Sequence, residues 1–178
     1  MTRIVGGSHG GRRLKVPAGS GTRPTSDRAR EGLFSSLQSL TELEGAAVLD
    51  LYAGSGALGL EALSRGAAHA TLVERDPKAL AALQANVADL DLPAEVVDAD
   101  VEAYLRRPPA PYDVVLVDPP YDLDVDPVLG RLPSWLSDRA VVVVERATRG
   151  PAPAVPEGVE LVRDRRYGEA TLWYFRAT

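Results

Sequence analysis

The chain has 178 residues, 45% of them hydrophobic, with a net charge of −5, no cysteine, and two histidines, His9 and His69, far apart in the sequence. This length and apolar content suit one globular domain, and the absence of thiolates excludes disulfides and makes a metal site unexpected. No apolar run approaches the roughly 20 residues of a membrane helix, and the first residues lack a signal-peptide core, so we expect a cytoplasmic protein without membrane contact.

The first element along the chain is a basic segment. Residues 1–30 carry seven basic side chains and one acidic side chain, a net charge of +6, whereas the rest carries 13 basic and 24 acidic side chains, a net charge of −11. Phosphates attract such a segment. We therefore predict that residues 1–22 form a basic N-terminal arm that contacts nucleic acid, with a short hairpin that includes Ile4 and Leu14; a solvated tail is the alternative. The side chains predicted to contact nucleic acid are Arg3, Arg12, Arg13, Lys15, Arg23 and Arg28.

Residues 23–178 have the pattern of a single α/β domain. Pro24-Thr25-Ser26 is a helix-start signal, and apolar residues at helical spacing after it predict a helix to about Leu40. Short apolar runs then alternate with helical segments, which predicts a doubly wound, mostly parallel sheet. The predicted strands are residues 46–51, 70–74, 94–97, 112–117 and 140–145, and the helices between them are residues 57–65 and 77–90.

A glycine-rich loop joins the first predicted strand to the next helix. Gly54, Gly56 and Gly59 have the spacing of a nucleotide-binding turn, in which a ligand approaches the amides of a helix N-terminus. With Glu74 at the end of the next strand, this spacing also matches a dinucleotide site. Asp50 favours S-adenosylmethionine, because a carboxylate there repels a pyrophosphate but can receive the ammonium group of a methionine moiety. The predicted cofactor-binding residues are Asp50, Tyr52, Gly54, Ser55, Gly56, Glu74 and Asp100, and Asp100 has a helix N-cap as its alternative role.

Asp118-Pro119-Pro120-Tyr121 ends the fourth predicted strand, where ligands gather in an open α/β sheet. An exocyclic base amine is a poor nucleophile, because its lone pair is delocalised into the ring. The Asp118 carboxylate and a backbone carbonyl freed by the prolines could accept its two hydrogens, and Tyr121 offers a face on which an extruded base can stack. We therefore predict Asp118, Pro119 and Tyr121 as catalytic residues.

The C-terminal part predicts an antiparallel hairpin at the edge of the sheet. Two apolar runs, residues 159–162 and 171–175, are separated by a charged turn and follow a stiff proline-rich loop at residues 150–156. Asp122, Asp124 and Asp126, which follow the Asp118 motif, are interpreted as a solvated loop rather than a magnesium site.

Over nearly its whole length the sequence resembles the bacterial ribosomal RNA small subunit methyltransferase D family. The segments that carry the resemblance are residues 3–7, 11–14, 23–34, 50–59 and 118–121, of which 23–34 is the most specific. The resemblance implies a Rossmann-like sheet, S-adenosylmethionine as donor, and methyl transfer to N2 of one guanine in 16S rRNA, expected to be guanine 966. It also implies an N-terminal extension that faces RNA, and Asp118 to Tyr121 as the site of the target base. We expect 16S rRNA in the small subunit or a late assembly intermediate as the substrate of a monomeric enzyme, and the small arm suggests that ribosomal proteins help to present the RNA.

Other functions remain open on the residues alone. An aspartate rather than an asparagine at position 118 does not show whether the methylated group is guanine N2, adenine N6 or a protein glutamine amide. A nicotinamide-dependent oxidoreductase would use the same glycine loop, but neither lysine follows a tyrosine at the spacing of a hydride-transfer pair. A non-catalytic RNA-binding module leaves the glycine loop unexplained.

Overall fold

A seven-stranded sheet organises the protein, in a computed structural model that describes residues 2–17 and 26–178. Its strands are β1 (Ala47–Leu51), β2 (His69–Glu74), β3 (Ala94–Asp98), β4 (Tyr112–Val117), β5 (Leu136–Ala147), β6 (Val159–Tyr167) and β7 (Ala170–Ala177). Their order is β3-β2-β1-β4-β5-β7-β6. The first five strands are parallel, and β7 pairs antiparallel with both β5 and β6. The predicted mostly parallel α/β sheet with an antiparallel C-terminal hairpin is confirmed.

Helices cover both faces of the sheet, and two apolar cores result. The helices are α1 (Asp27–Leu40), α2 (Ala57–Ser64), α3 (Pro77–Leu90), α4 (Val101–Leu105) and α5 (Asp126–Leu129). Val114 and Leu116 of β4 pack in the core that includes residues of α1, α2 and α3. Val115 and Val117 pack on the opposite face with residues of α4 and α5. A strand buried on both faces is apolar at every position, which explains the continuous apolar runs.

Several element boundaries differ from the predictions, and β6 ends at Tyr167 rather than at residue 162. β5 begins at Leu136, four residues before the predicted strand, where Leu136 pairs with Tyr112 of β4. It ends two residues after the predicted strand, because its pairing with β7 continues to Ala147 opposite Ala170. That pairing links segments far apart in the sequence, so local periodicity does not reveal it. Asp126 is exposed, as predicted, but it begins α5 instead of lying in a loop, and its carboxylate accepts a hydrogen bond from the Ala154 amide at 3.0 Å.

The predicted start of α1 is confirmed at Ser26. Its hydroxyl accepts a hydrogen bond from the Ala29 amide at 3.1 Å, as an N-cap does. Pro24 and Thr25 lie outside the described residues.

The described part of the N-terminal arm packs on the domain. Ile4 and Leu14 are buried in the core shared by α1, α2 and α3. The Ile4 amide donates to the Arg12 carbonyl and the Leu14 amide to the Thr2 carbonyl, both at 2.9 Å, and a turn of 3₁₀ helix lies between the paired segments. Residues 2–5 and 12–14 are thus paired with each other, and the described part of the arm packs against the domain.

Glu61 of α2 attaches this arm to the domain. Its side chain is fully buried and accepts hydrogen bonds from the amides of Val5 and Gly6 and from Arg65, each at 2.8 Å. Arg30, also buried, lies 3.9 Å away. A buried carboxylate is tolerated here because each oxygen has donors around it.

Within residues 2–17 and 26–178, the helices are too short or too polar to cross a bilayer. In the same ranges, no three side chains of the metal-ligating types come together as a metal site would require.

Candidate active site

The site lies where the strand order of the sheet reverses, between β1 and β4. Ligands of open α/β sheets bind in the crevice at the carboxyl ends of strands at such a point. Asp50 of β1 is in register with Leu116 of β4, and the Asp118 amide donates to the Leu51 carbonyl at 3.5 Å. The fold thus brings the glycine loop and the Asp118 motif together, although Gly54 and Asp118 lie 64 positions apart in the chain.

Asp50 is buried at the floor of this crevice. One carboxylate oxygen accepts a hydrogen bond from the Gly59 amide at 2.9 Å, whereas the other, Oδ1, is buried with no hydrogen-bond partner. Burial, and to a smaller extent the charge of Glu74, raise the pKa of Asp50 to about 7, and the hydrogen bond from Gly59 opposes this shift. Gly59 permits this contact, because a Cβ there would lie 2.1 Å from Leu72 and 3.0 Å from Asp50. The unpartnered oxygen leaves Asp50 able to accept a hydrogen bond from a ligand.

The backbone after Asp50 has an unusual conformation. Tyr52 has a φ of 62° and Gly54 a φ of 59°, and a non-glycine residue in this left-handed region is strained. A Cβ on Gly54 would meet no atom within 4 Å, so the loop is open at this point. Burial, and then the charges of Asp100 and Glu102, raise the pKa of Tyr52 to about 12, so its phenol is neutral at physiological pH.

Glu74, at the end of β2, holds the glycine loop. One of its oxygens accepts a hydrogen bond from the Gly54 amide at 2.8 Å, and the other accepts from the amides of Arg75 and Asp76 at 2.9 Å. Carboxylate oxygens have further lone pairs, so Glu74 can still accept hydrogen bonds from a hydroxyl.

The remaining predicted cofactor residues surround the same loop. Gly56 is the N-cap of α2, and the Ser55 carbonyl accepts a hydrogen bond from the side chain of Asn86 at 2.9 Å. Asp100 caps α4 by accepting from the Ala103 amide at 3.1 Å. The alternative role predicted for Asp100, a helix N-cap, is therefore confirmed, and a contact with a cofactor remains a prediction.

Asp118 is half-buried and is hydrogen-bonded to Glu145. Glu145 is the first residue of β5 beyond the last β4 partner, since Val117 pairs with Val144. Burial, then the hydrogen bond and the charge of Glu145, and then the charge of Asp50 raise the pKa of Asp118 well above its usual range, while Arg146 opposes the shift. Burial and the neighbouring Glu145 therefore favour the protonated form of Asp118 more than an exposed aspartate would experience.

Arg146 holds the backbone of the loop after Asp118. Its side chain is 8% exposed and donates to the carbonyls of Pro120 at 3.2 Å, Tyr121 at 2.9 Å and Leu123 at 2.8 Å. The ring of Tyr121 remains exposed. Neither Glu145 nor Arg146 was identified from the sequence. The available signal was a pair of opposite charges directly after the buried apolar run that ends at Val144.

Asn86 of α3 connects the N-terminal arm to the glycine loop. Its buried amide accepts a hydrogen bond from the Lys15 amide at 2.8 Å and donates to the carbonyls of Lys15 and Ser55, both at 2.9 Å. Sequence reasoning missed this residue as well. A single asparagine on an otherwise apolar helix face was the only signal.

The side chains predicted to contact nucleic acid fall into three groups. Arg3 and Arg12 form exposed ion pairs, with Asp27 at 2.8 Å and with Asp89 at 3.5 Å. Arg13, Lys15 and Arg28 are exposed, and Arg23 lies outside the described residues. The ion pairs offset part of the positive charge that the sequence assigns to the arm.

Comparisons with known proteins agree with this architecture. Residues 2–176 match the family described as conserved hypothetical protein 95. The chain is 41% identical over 171 residues to ribosomal RNA small subunit methyltransferase D of Escherichia coli strain K12, covering 94% of this chain and 85% of that protein. It is 34% identical over 174 residues to the protein of the same name from Haemophilus influenzae, covering 93% of this chain and 89% of that protein.

Solved structures show the same fold. The E. coli protein yhhF has a TM-score of 0.89 at 37% identity and covers 99% of this chain and 97% of its own. A Thermus thermophilus protein has a TM-score of 0.83 at 35% identity, covering 98% of each chain. A methyltransferase complexed with SAH, at 15% identity and a TM-score of 0.69, covers 88% of this chain and 50% of its own. The chain therefore belongs to the ribosomal RNA small subunit methyltransferase D family and is an S-adenosylmethionine-dependent methyltransferase.

Proposed function

We propose that this protein transfers a methyl group from S-adenosylmethionine to the exocyclic N2 of one guanine, expected to be guanine 966, in the 16S rRNA of the small ribosomal subunit. The observation that carries the proposal is the position of Asp118 and its loop beside Asp50 at the strand reversal. The names of the E. coli and H. influenzae relatives support rRNA as the substrate.

The residues around the glycine loop fit S-adenosylmethionine. Asp50 has a buried oxygen without a partner, and the ammonium group of the methionine moiety would satisfy it. We assign the ribose hydroxyls to Glu74 and the border of the adenine to Asp100. When bound, the cofactor supplies an electrophilic methyl group on its sulfonium.

Asp118 and the Pro119 carbonyl accept the two hydrogens of the target amine. The carbonyls of Pro120 and Tyr121 already accept hydrogen bonds from Arg146, so we assign the second acceptor to Pro119. Held in this way, the nitrogen moves toward tetrahedral geometry and its lone pair becomes available. This lone pair could then take the methyl group that the bound cofactor would supply, with the electron pair of the broken C–S bond remaining on sulfur. The proton then leaves the methylated nitrogen for the Asp118 carboxylate.

Tyr121 provides the surface for the extruded base. Its side chain is 48% exposed although the backbone beneath it is fixed, which suits stacking on a flat base. The small extent of the N-terminal arm suggests the small subunit or a late assembly intermediate as the substrate, with ribosomal proteins helping to present the RNA.

Exposed cations of the arm and of the first turn of α1 supply the phosphate contacts. Arg13, Lys15 and Arg28 are the described candidates, and Arg3 and Arg12 contribute less because they are paired with carboxylates. Ile4 and Leu14 belong to the core, so deletion of the arm would damage the fold. Replacing the three exposed cations with Gln is the sharper test. It should lower the affinity for RNA and its salt dependence and leave the affinity for S-adenosylhomocysteine unchanged.

The proposed function is tested by transfer of a labelled methyl group to small subunits from a strain that lacks this enzyme. After digestion to nucleosides, the label is expected in N2-methylguanosine from a single site in 16S rRNA. Label in N6-methyladenosine, or in glutamine of a ribosomal protein, would contradict the proposal and favour the corresponding alternative substrate.

A further inference from the structure

We propose that Arg146 is a positioning residue for the target base, an inference that rests on the proposed function. Arg146 touches neither the glycine loop nor Asp50 through any of its hydrogen bonds described above. All three of them go to backbone carbonyls of the loop that carries Tyr121. Its guanidinium therefore acts on substrate through this loop.

The end of β5 is a rigid support for Arg146. Glu145, Arg146 and Ala147 continue beyond the last paired residue of β4, and each pairs with a residue of β7, from Leu172 to Ala170. A side chain on a strand paired in this way has little freedom to follow a moving loop. The guanidinium is also buried, so water competes poorly for its hydrogen bonds.

Three donors directed at three carbonyls define the path of the loop. Prolines at 119 and 120 restrict the backbone before it, and Arg146 fixes the backbone from Pro120 to Leu123. Together they determine where the Pro119 carbonyl points and where the Tyr121 ring stands. Loss of Arg146 should leave the glycine loop intact but allow the loop after Asp118 to move. A displacement of about 1 Å in the position of a reacting group can lower the rate about 100-fold.

The test compares Arg146→Met and Arg146→Lys with the wild-type protein. Arg146→Met keeps most of the length of the side chain but removes all three donors, and Arg146→Lys keeps the charge but not the planar fork. Arg176→Met is the matched control, because Arg176 is half-buried and donates to one backbone carbonyl, that of Leu40, far from the site. Rates are compared at a pH where neither the wild-type rate nor the variant rate changes with pH, so that the effect of the Arg146 charge on Asp118 does not enter.

Arg146→Met is expected to lower kcat about 100-fold, with at most a few-fold change in KM for RNA and an unchanged affinity for S-adenosylhomocysteine. Arg146→Lys should recover part of the rate, and Arg176→Met should lower Tm without changing kcat. A kcat for Arg146→Met within twofold of wild type would overturn the proposal, as would a parallel loss of S-adenosylhomocysteine affinity. Failure of the proposed function can be distinguished from failure of this inference. If the proposed function fails, a different amine receives the labelled methyl group, but the ratio of the variant rate to the wild-type rate can still be measured.

Discussion

At the scale of single residues, the site depends on carboxyl groups whose charge the fold alters. Asp50 and Asp118 were predictable from sequence, because each ends a buried strand next to a recognisable motif. Their protonation was not predictable, since it depends on burial and on Glu145, which is 27 positions from Asp118 and belongs to no motif. Tyr52 was predicted as a cofactor residue, but its left-handed backbone was not.

The raised pKa of Asp50 predicts a pH-dependent affinity for the cofactor product. Asp50 is protonated below its pKa of about 7 and ionised above it, and only the carboxylate attracts an ammonium group. The affinity for S-adenosylhomocysteine should therefore fall by up to about tenfold for each pH unit below about 7. Asp50→Asn should bind weakly with little pH dependence, whereas Asp138→Asn, at the exposed far end of β5, should behave as wild type. Calorimetric titration measures both, and an equally steep dependence in Asp50→Asn would contradict the assignment.

Glu145 should determine the pH at which the methyl-transfer rate falls on the acid side of the pH–rate profile, called here the acid limb. Methyl transfer needs the Asp118 carboxylate, and burial beside Glu145 raises the pKa of Asp118, so the rate should rise as pH increases and Asp118 loses its proton. Glu145→Gln removes the competing negative charge, and the amide of Gln can donate a hydrogen bond to the Asp118 carboxylate. Its acid limb should therefore lie at lower pH than that of wild type. An unchanged limb in single-turnover rates measured across pH would show that Glu145 does not control Asp118.

At the scale of elements, local patterns predicted most helices and strands, and long-range contacts determined the rest. The apolar run placed β4, and the helical spacing of apolar residues placed α3, at their observed bounds. The extension of β5 at its carboxyl end required β7 as a partner. The packing of the arm required Glu61, which a helical pattern alone does not distinguish from a surface glutamate.

Glu61 should contribute strongly to stability. Glu61→Gln replaces an acceptor oxygen by a donor that faces the amides of Val5 and Gly6 or Arg65, and loss of a buried pair typically costs about 3 kcal/mol or more. Asp89→Asn removes the exposed pair with Arg12 and should cost less than about 1 kcal/mol. Urea unfolding measures the loss in free energy of unfolding for both variants. An equal loss in the two variants would show that Glu61 does not anchor the arm.

At the scale of the whole molecule, the sheet brings two separately encoded loops to one crevice. Sequence order alone predicted that both loops lie at the carboxyl ends of strands, and the β1–β4 pairing makes them neighbours. The packing of the N-terminal arm could not be predicted in the same way. The charge of the arm indicated that it binds nucleic acid. The burial of Ile4 and Leu14 and the ion pairs of Arg3 and Arg12 depend on residues distant in the sequence, so the sequence pattern did not reveal them.

We propose that the glycine loop holds the cofactor and that the loop after Asp118 activates the amine. Single-turnover methyl transfer by Asp118→Ala, measured together with its affinity for S-adenosylhomocysteine, tests this division most directly. We predict that methyl transfer is lost by at least about 100-fold while the affinity stays within a few-fold of wild type. Near-normal methyl transfer by Asp118→Ala would show that Asp118 does not activate the target amine.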